Sequence, residues 1–134
     1  MTAGYTDELL AEARSERGRG KLASPRATAR NSNPSCGDEI ELDIDHDGTH
    51  VLRIAHRTTG CAFTRASASL LARFVPDMTL AEARDLAARL RQDLPGTAPM
   101  PSVFAALVSV RMYPARTRCA LLPWDALLTA LTGA

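Results

Sequence analysis

The alternation of apolar and polar side chains changes period several times along the chain, and each change marks a predicted element. Tyr5 to Arg14 reads as a short helix capped by Thr6, with Asp7 and Glu8 in the first turn, where the helix dipole favours acids, and Leu9, Leu10 and Ala13 as its apolar stripe. Ser15 to Ser35 loses that periodicity and is broken by Gly18, Gly20, Pro25 and Pro34. A loop is expected there, with Arg26 to Arg30 able to lie as an edge strand. From Ile40 to Asp45 the period is two, with Ile40, Leu42 and Ile44 on one face and Glu41, Asp43 and Asp45 on the other, as in a half-buried strand. Asp47-Gly48 supplies the hairpin turn, because glycine accepts the positive φ that such turns demand. The return strand, His50 to Thr58, is expected to place Leu52 and Ile54 inward and Val51, Arg53 and Arg57 outward. Acids of one strand then face arginines of the next, at a few tenths to about 1 kcal/mol per pair. His46 falls in the turn and is expected to be solvated.

Helical spacing then returns. Phe63, Ala66, Leu70 and Phe74 predict a helix from Ala62 to Val75, ended by Pro76, and the small run Ala66-Ser67-Ala68-Ser69 predicts close packing on the sheet. Thr79-x-x-Glu82 is a capping box opening a helix with Leu80, Ala83, Leu86, Ala87, Leu90 and Leu94 as its stripe, stopped by Pro95-Gly96. Ser102 is the expected cap of a helix from Val103 to Met112. Pro123 is the expected first position of a last helix, with Trp124, Leu127, Leu128 and Leu131 facing the core. Together these give an α+β fold in which a small antiparallel sheet of two to three strands, built on the central hairpin, packs against about five helices. One domain is expected over residues 1–134: N-terminal helix and loop at 1–22, sheet at 23–58, helical part at 61–134.

Size and charge narrow the function classes. With 134 residues and 46% hydrophobic content the chain can bury a real core without disulfide staples. A formal net charge of +1 argues against a nucleic-acid partner, and the basic run Arg14 to Lys21 reads as a solvated loop. No apolar run approaches the roughly 20 residues that a membrane span requires. Met1-Thr2-Ala3-Gly4 lacks a signal-peptide core, so no membrane partner and a cytoplasmic location are expected. The sequence carries no internal repeat, Gly-rich phosphate loop or nucleophile elbow.

The cysteines carry the candidate chemistry. Cys36 and Asp38 flank one glycine in Asn33-Pro34-Ser35-Cys36-Gly37-Asp38. Cys61 sits just before a predicted helix N-terminus, where amide N–H groups and the dipole favour a thiolate. Cys119 follows Arg116 and Arg118, whose guanidinium groups would stabilise its thiolate and offset excess negative charge. Three cysteines cannot all pair, and a reducing compartment discourages disulfides. The bland alternative is that cysteines are small buried hydrophobes. An acid beside a thiol in a glycine turn has little packing value, however, and three thiols with one carboxylate form a four-ligand set suited to zinc or to iron in a cluster. The ligand set is therefore Cys36, Asp38, Cys61 and Cys119. His50 and His56 share a parity with Leu52 and Ile54 and are further candidate ligands, set apart by having no cysteine in register.

Three stretches, Asn33 to Asp38, Gly60-Cys61-Ala62-Phe63-Thr64-Arg65-Ala66-Ser67-Ala68-Ser69 and Tyr113-Pro114-Ala115-Arg116-Thr117-Arg118-Cys119-Ala120-Leu121-Leu122-Pro123-Trp124, resemble the iron-sulfur cluster assembly family of IscU, the NifU N-terminal domain and SufU. The likeness spans nearly the whole chain in order. The long interval from Cys61 to Cys119 and Arg118 in place of the histidine of IscU-type scaffolds make it similar to the SufU branch, and the Leu-Pro-Pro-Val-Lys chaperone motif is absent. The stretch Leu10 to Leu22 departs from the family in lacking its Asp-His and Asn-Pro-Arg residues, as does Thr58-Thr59 where a glycine is usual before Gly60.

The resemblance implies a zinc site made by Cys36, Asp38, Cys61 and Cys119, with Cys36 as sulfur acceptor and Arg116 as helper. It implies a cysteine desulfurase as partner, with a downstream sulfur or cluster acceptor. It further implies that a desulfurase side chain replaces Cys36 on zinc, freeing the thiolate for a sulfurtransferase-like exchange with the desulfurase persulfide. Asp38, harder than a thiolate, makes such a site easier to rearrange. Two other readings of the same ligands are a scaffold on which an iron-sulfur cluster is built, Asp38 keeping it labile, and a structural zinc module that only binds proteins.

Overall fold

The two-residue alternation seen in the sequence continues beyond Ile40 and Ile44 to both ends of the central strand. In the computed structural model, which describes residues 4–132, β2 runs Asp38–His46 and pairs antiparallel with β1, Ala27–Asn33, on one side and β3, Val51–Thr59, on the other. Residues 1–3, within the stretch read above as lacking a signal-peptide core, lie outside the described residues. Around the sheet stand α1 (Asp7–Arg14), α2 (Ala62–Phe74), α3 (Leu80–Asp93) and α4 (Thr117–Leu131), with a 3-10 helix at Ser102–Met112 as the fifth and a short 3-10 turn at Pro114–Arg116. This is the α+β arrangement expected, a small antiparallel sheet against about five helices.

Ile40, Leu42 and Ile44 are fully buried, and Asp38 and His46, on the same face, are buried with them. His46 is thus a strand residue rather than the solvated turn residue expected, its Nδ1 accepting from the Gly48 N–H at 3.0 Å. The stretch 27–33, expected mainly as loop, forms an edge strand registered from Ala27 opposite Ile44 to Asn33 opposite Asp38. Its inward residues Ala27, Ala29 and Asn31 are small or polar and pack under α4, so no large apolar residue announces the alternation.

In β3 the expected orientation fails at the hairpin end. Arg53 lies opposite Asp45 but Val51 lies opposite His46, leaving Leu52 as the extra residue of a β-bulge. The bulge flips the parity: Val51 is fully buried and Leu52 is 44% exposed. Beyond it the arginines face the acids as expected, Arg53 to Asp45 at 2.8 Å and Arg57 to Asp43 at 3.0 Å and Glu41 at 3.6 Å. Asp43, expected outward and solvated, is buried because the Leu22 segment lies over it and donates its N–H at 3.1 Å.

The outer edge of β3 is covered by the chain itself. The His56 N–H donates to the Gly18 carbonyl (2.9 Å), and the Gly20 N–H to the His56 carbonyl (3.0 Å). The buried His56 ring pins the same loop, Nε2 donating to the Arg17 carbonyl at 2.8 Å while Nδ1 faces the Thr58 hydroxyl at 2.8 Å. Gly18 has φ +76° and lies against Ala72 with no room for a side chain.

The helices begin where the sequence places them. The Thr6 hydroxyl accepts from Leu9 N–H at 3.1 Å, and both hydrogen bonds of the Thr79–Glu82 capping box are present. Ser102, expected as a cap, is the first residue of its helix and makes no cap bond. That helix is 3-10, and buried Phe104, Leu107 and Val110 explain the pitch: recurring every three residues, they align along one side only at three residues per turn. Pro123 is not a first position either. α4 starts six residues earlier, at Thr117, and carries Pro123 in its interior. The N–H that Pro123 lacks would have reached the Cys119 carbonyl; the Ala120 carbonyl in addition accepts from the Ser67 hydroxyl (2.5 Å) and the Leu122 carbonyl from the Asn31 amide (3.4 Å), tying α4 to α2 and β1.

Candidate metal centre

The β1–β2 turn, the N-terminus of α2 and the first turn of α4 meet at one end of the sheet, and each delivers one or two of the polar residues singled out in the sequence. Asp38 is the first residue of β2, and its parity with Ile40 turns its side chain inward, leaving it 1% exposed. Cys36 lies in the preceding turn, where its N–H donates to the Asn33 carbonyl at 3.1 Å and Gly37 takes φ +71°, and it is exposed. Cys119 is fully buried on α4. Among the described residues, the ligand atoms of Cys36, Asp38 and Cys119 all lie within 4.8 Å of one another.

Cys61 approaches this group from α2. It occupies the N-cap position with extended backbone, and its Sγ stands 3.9 Å from Asp38 Oδ2. Its N–H donates to Asp38 Oδ1 at 3.1 Å, so the helix start holds the carboxylate as well as presenting the thiol. Gly60 makes the approach possible. Its φ is +151°, and a Cβ there would collide with the Asp38 carboxylate.

Thr64, not singled out for a role in the sequence, belongs to the same arrangement. It is fully buried and its hydroxyl donates to Asp38 Oδ2 at 2.7 Å while lying 3.6 Å from Cys61 Sγ. The available signal was its spacing: three residues after an N-cap, a side chain sits over the first turn beside the capping group.

Arg116 is the closing residue of the turn Pro114–Arg116. Its guanidinium lies within hydrogen-bonding reach of Cys61, which holds it above even its ordinary value, with Tyr5 adding to the effect. Tyr5, Phe63 and Tyr113 form an aromatic trio with ring centroids 5.4 to 6.0 Å apart and fix the turn against α1 and α2. Arg118, expected beside the Cys119 thiol, instead lines a separate cavity with Arg91 and Asp125. One helical residue away from a buried Cys119, it is carried to the outside of α4. His50 and His56 lie elsewhere: His56 is spent on the Arg17 loop, and His50 is held by Thr49 and Asp47 in the distal turn.

Burial pushes the Cys119 thiol well above its ordinary range, helped by hydrogen bonding to Asp38 and Cys36 and by the charge of Cys61. Without a cation the cluster therefore keeps Cys119 protonated. A divalent ion reverses that preference, because a coordinating thiol is deprotonated outright. Donors held about 2.0 to 2.3 Å from a tetrahedral ion stand roughly 3.3 to 3.8 Å from one another, so ligand atoms already within 4.8 Å suit zinc with a small contraction. The mutually close group offers two sulfurs and one oxygen, with Cys61 outside it but 3.9 Å from Asp38 Oδ2, and a thiol-and-carboxylate set of this kind fits zinc or ferrous iron better than magnesium or calcium.

Residues 4–132 match the family model described as the NifU-like N terminal domain. The zinc-dependent sulfurtransferase SufU of Bacillus subtilis is 28% identical over 127 residues, 92% of this chain and 86% of that protein. The iron-sulfur cluster assembly scaffold protein IscU of Thermotoga maritima is 30% identical over 133 residues, covering 95% and 92%. The crystal structure of FiSufU from Fervidobacterium islandicum AW-1 superposes with a TM-score of 0.88 over 96% of both chains at 24% identity, which shows the shared fold.

Proposed function

The chain belongs to the NifU-like N-terminal domain family of iron-sulfur cluster assembly, and from that premise we propose that it is a SufU-type sulfur acceptor of a cysteine desulfurase, working in the cytoplasm with Cys36 as the acceptor thiol. Among the described residues no helix is long and apolar enough to cross a membrane. The observation that carries the reading is the graded exposure of one cluster: Cys36 is exposed, Cys61 half-buried and Cys119 buried, with the carboxylate of Asp38 shared among them. Cys36 is the most exposed of the three and so the best placed to meet a persulfide on another protein. The buried members are suited to holding an ion behind it.

Cys36, Asp38, Cys61 and Cys119 would hold zinc, which when bound keeps thiols deprotonated at neutral pH and shields them from oxidation. The remaining work belongs to the chain. The turn Asn33 to Asp38 projects Cys36 outward on a glycine of positive φ, so its sulfur can move without disturbing β2. The Cys36 thiolate attacks the outer sulfur of the donor persulfide. A sulfur–sulfur bond forms at Cys36, the bond within the donor persulfide breaks, and the donor cysteine leaves as thiolate. Arg116 faces the thiols and lowers the cost of gathering negative charge there. The Cys61 N–H and Thr64 hydroxyl keep Asp38 in place throughout. The sulfur then passes to a downstream acceptor.

Cys36→Ser is expected to abolish stimulation of desulfurase turnover while circular dichroism and thermal midpoint stay near those of the parent. Undiminished stimulation by Cys36→Ser removes the proposal. A second reading, a scaffold for a nascent cluster, is favoured by the 30% identity to an IscU scaffold protein, which is not lower than that to SufU. Anaerobic reconstitution separates the two: a visible-absorbing cluster that transfers to an apo-acceptor supports the scaffold, and one tightly held zinc without a transferable cluster supports sulfur relay.

A further inference from the structure

A cavity of about 350 Å³ opens beside the Cys36 turn, between the end of β1 and the outer side of α4, walled by Asn31, Asn33, Pro34, Arg91, Arg118 and Asp125. Its charges do not cancel. Arg91 is paired with Asp125, Nε to Oδ1 at 3.3 Å, whereas Arg118 has no carboxylate partner among the described residues. Burial raises the Asp125 carboxyl above its ordinary value, with the Arg91 charge opposing it, so the pair adds no net negative charge and Arg118 leaves the cavity positive. Asn33 is 6% exposed. Pro34, Leu121 and Leu122 provide an apolar wall. An unpaired guanidinium and a short apolar wall complement a monoanion with a small hydrocarbon arm, and the planar fork of arginine suits a carboxylate. The volume lies at the lower end of the small-molecule range.

The location ties this cavity to sulfur chemistry. Asn33 and Pro34, which line it, belong to the turn that carries Cys36, and the Asn33 carbonyl accepts from the Cys36 N–H at 3.1 Å. We propose that the cavity is a carboxylate-binding subsite for a low-molecular-weight thiol acid that takes sulfur from Cys36. This rests on the reading of Cys36 as sulfur acceptor and names the class of molecule that can empty it. The thiolate of the small acid attacks the outer sulfur of the Cys36 persulfide. The new sulfur–sulfur bond belongs to the small molecule, the bond at Cys36 breaks, and Cys36 leaves as thiolate with no external oxidant or reductant.

The test uses the full chain, loaded with sulfur by a desulfurase and L-cysteine and checked by intact mass before any acceptor is added. Discharge is timed with mercaptoacetate and with mercaptoacetamide, which differ in the carboxylate alone. The mercaptoacetate-to-mercaptoacetamide rate ratio is expected to fall about fivefold in Arg118→Gln, the size of one partly exposed ion pair, and to be unmoved by Arg89→Gln on the far side of α3. Leu121→Trp, which fills the cavity, is expected to lower the same ratio, so the result does not depend on one variant. Equal ratios in the parent, Arg118→Gln and Leu121→Trp overturn the subsite while leaving Cys36 as acceptor. If no sulfur mass appears on Cys36 before acceptor is added, the acceptor reading fails and the subsite falls with it.

Discussion

The hydroxyl of Thr64 is the least conspicuous part of the cluster and offers a sharp test of how the site is held. Thr64→Val keeps shape and volume and deletes one group, the donor 2.7 Å from Asp38 Oδ2. Both residues are buried, Thr64 fully and Asp38 to 1% exposure, so water cannot replace the lost donor at that oxygen. A hydrogen bond to a charged, buried acceptor contributes about 1.5–3 kcal/mol. With an unfolding entropy of about 2.1 cal/mol/K per residue, that loss lowers the thermal midpoint of a chain of this length by roughly 5–11 °C. A partner that orients a metal ligand typically affects affinity by about 10–100-fold, so zinc should be surrendered to a chromophoric chelator at correspondingly lower chelator concentration. The assays are calorimetry of the metal-free protein and chelator competition of the zinc form, with Thr64→Ser, which retains the hydroxyl, expected to lie near the parent in both. A Thr64→Val protein that melts within about 1 °C of the parent and holds zinc equally well would refute the reasoning, because Asp38 would then be positioned by the Cys61 N–H alone.

Three further outcomes follow from other parts of the structure. Gly60→Ala both forces a side chain into φ +151° and drives its Cβ into the Asp38 carboxylate, so it should cost more than about 2 kcal/mol in urea unfolding and weaken zinc retention, whereas Gly20→Ala, with open space at its Cβ, should cost less. His56 is held below its ordinary value of about 6.5 by burial, against the pull of the Arg17 carbonyl and aided by Arg19 and Arg57. The unfolded chain therefore binds more protons in that window, so stability present above about pH 6.5 is lost as pH falls through the lower folded value, and His56→Gln should flatten the slope of unfolding free energy between pH 7 and 5. The bulge predicts that Leu52→Gln changes stability by less than about 0.5 kcal/mol while Val51→Ala costs about 1–3 kcal/mol, and reversed costs would restore the unbulged register.

Much of this arrangement was legible in the pattern of residues, and what was missed has identifiable causes. Large apolar side chains at strict intervals announced β2, α2 and α3, and the Thr6 and Thr79 caps marked their helix starts to the residue. Strand β1 was legible only as an edge strand that Arg26 to Arg30 could form, because Ala27, Ala29 and Asn31 cover the core through closeness rather than bulk, a property that belongs to the α4 surface above them. The parity of β3 was misread because a bulge is one inserted residue, invisible until the partner strand fixes the register. Pro123 misplaced the start of α4 because proline favours a first helical position, whereas packing against α2, α3 and β1 carries this helix through it. For the site, Cys36-Gly37-Asp38 was conspicuous because a thiol and an acid around a glycine have no packing purpose. Thr64 was hidden because threonine in the first turn of a helix is commonplace, and Arg118 was misassigned because sequence adjacency to Cys119 says nothing about which side of a helix a neighbour faces.

The order in which the three thiols meet solvent sets where chemical damage begins. An electrophile or peroxide arriving from outside finds Cys36 first, on a turn that bears no share of the core, while Cys119 is sealed beneath α4. Oxidation of that outermost sulfur to a sulfenic acid or mixed disulfide leaves the architecture standing and is undone by a reductant, whereas the same change at Cys119 would have to break into the core.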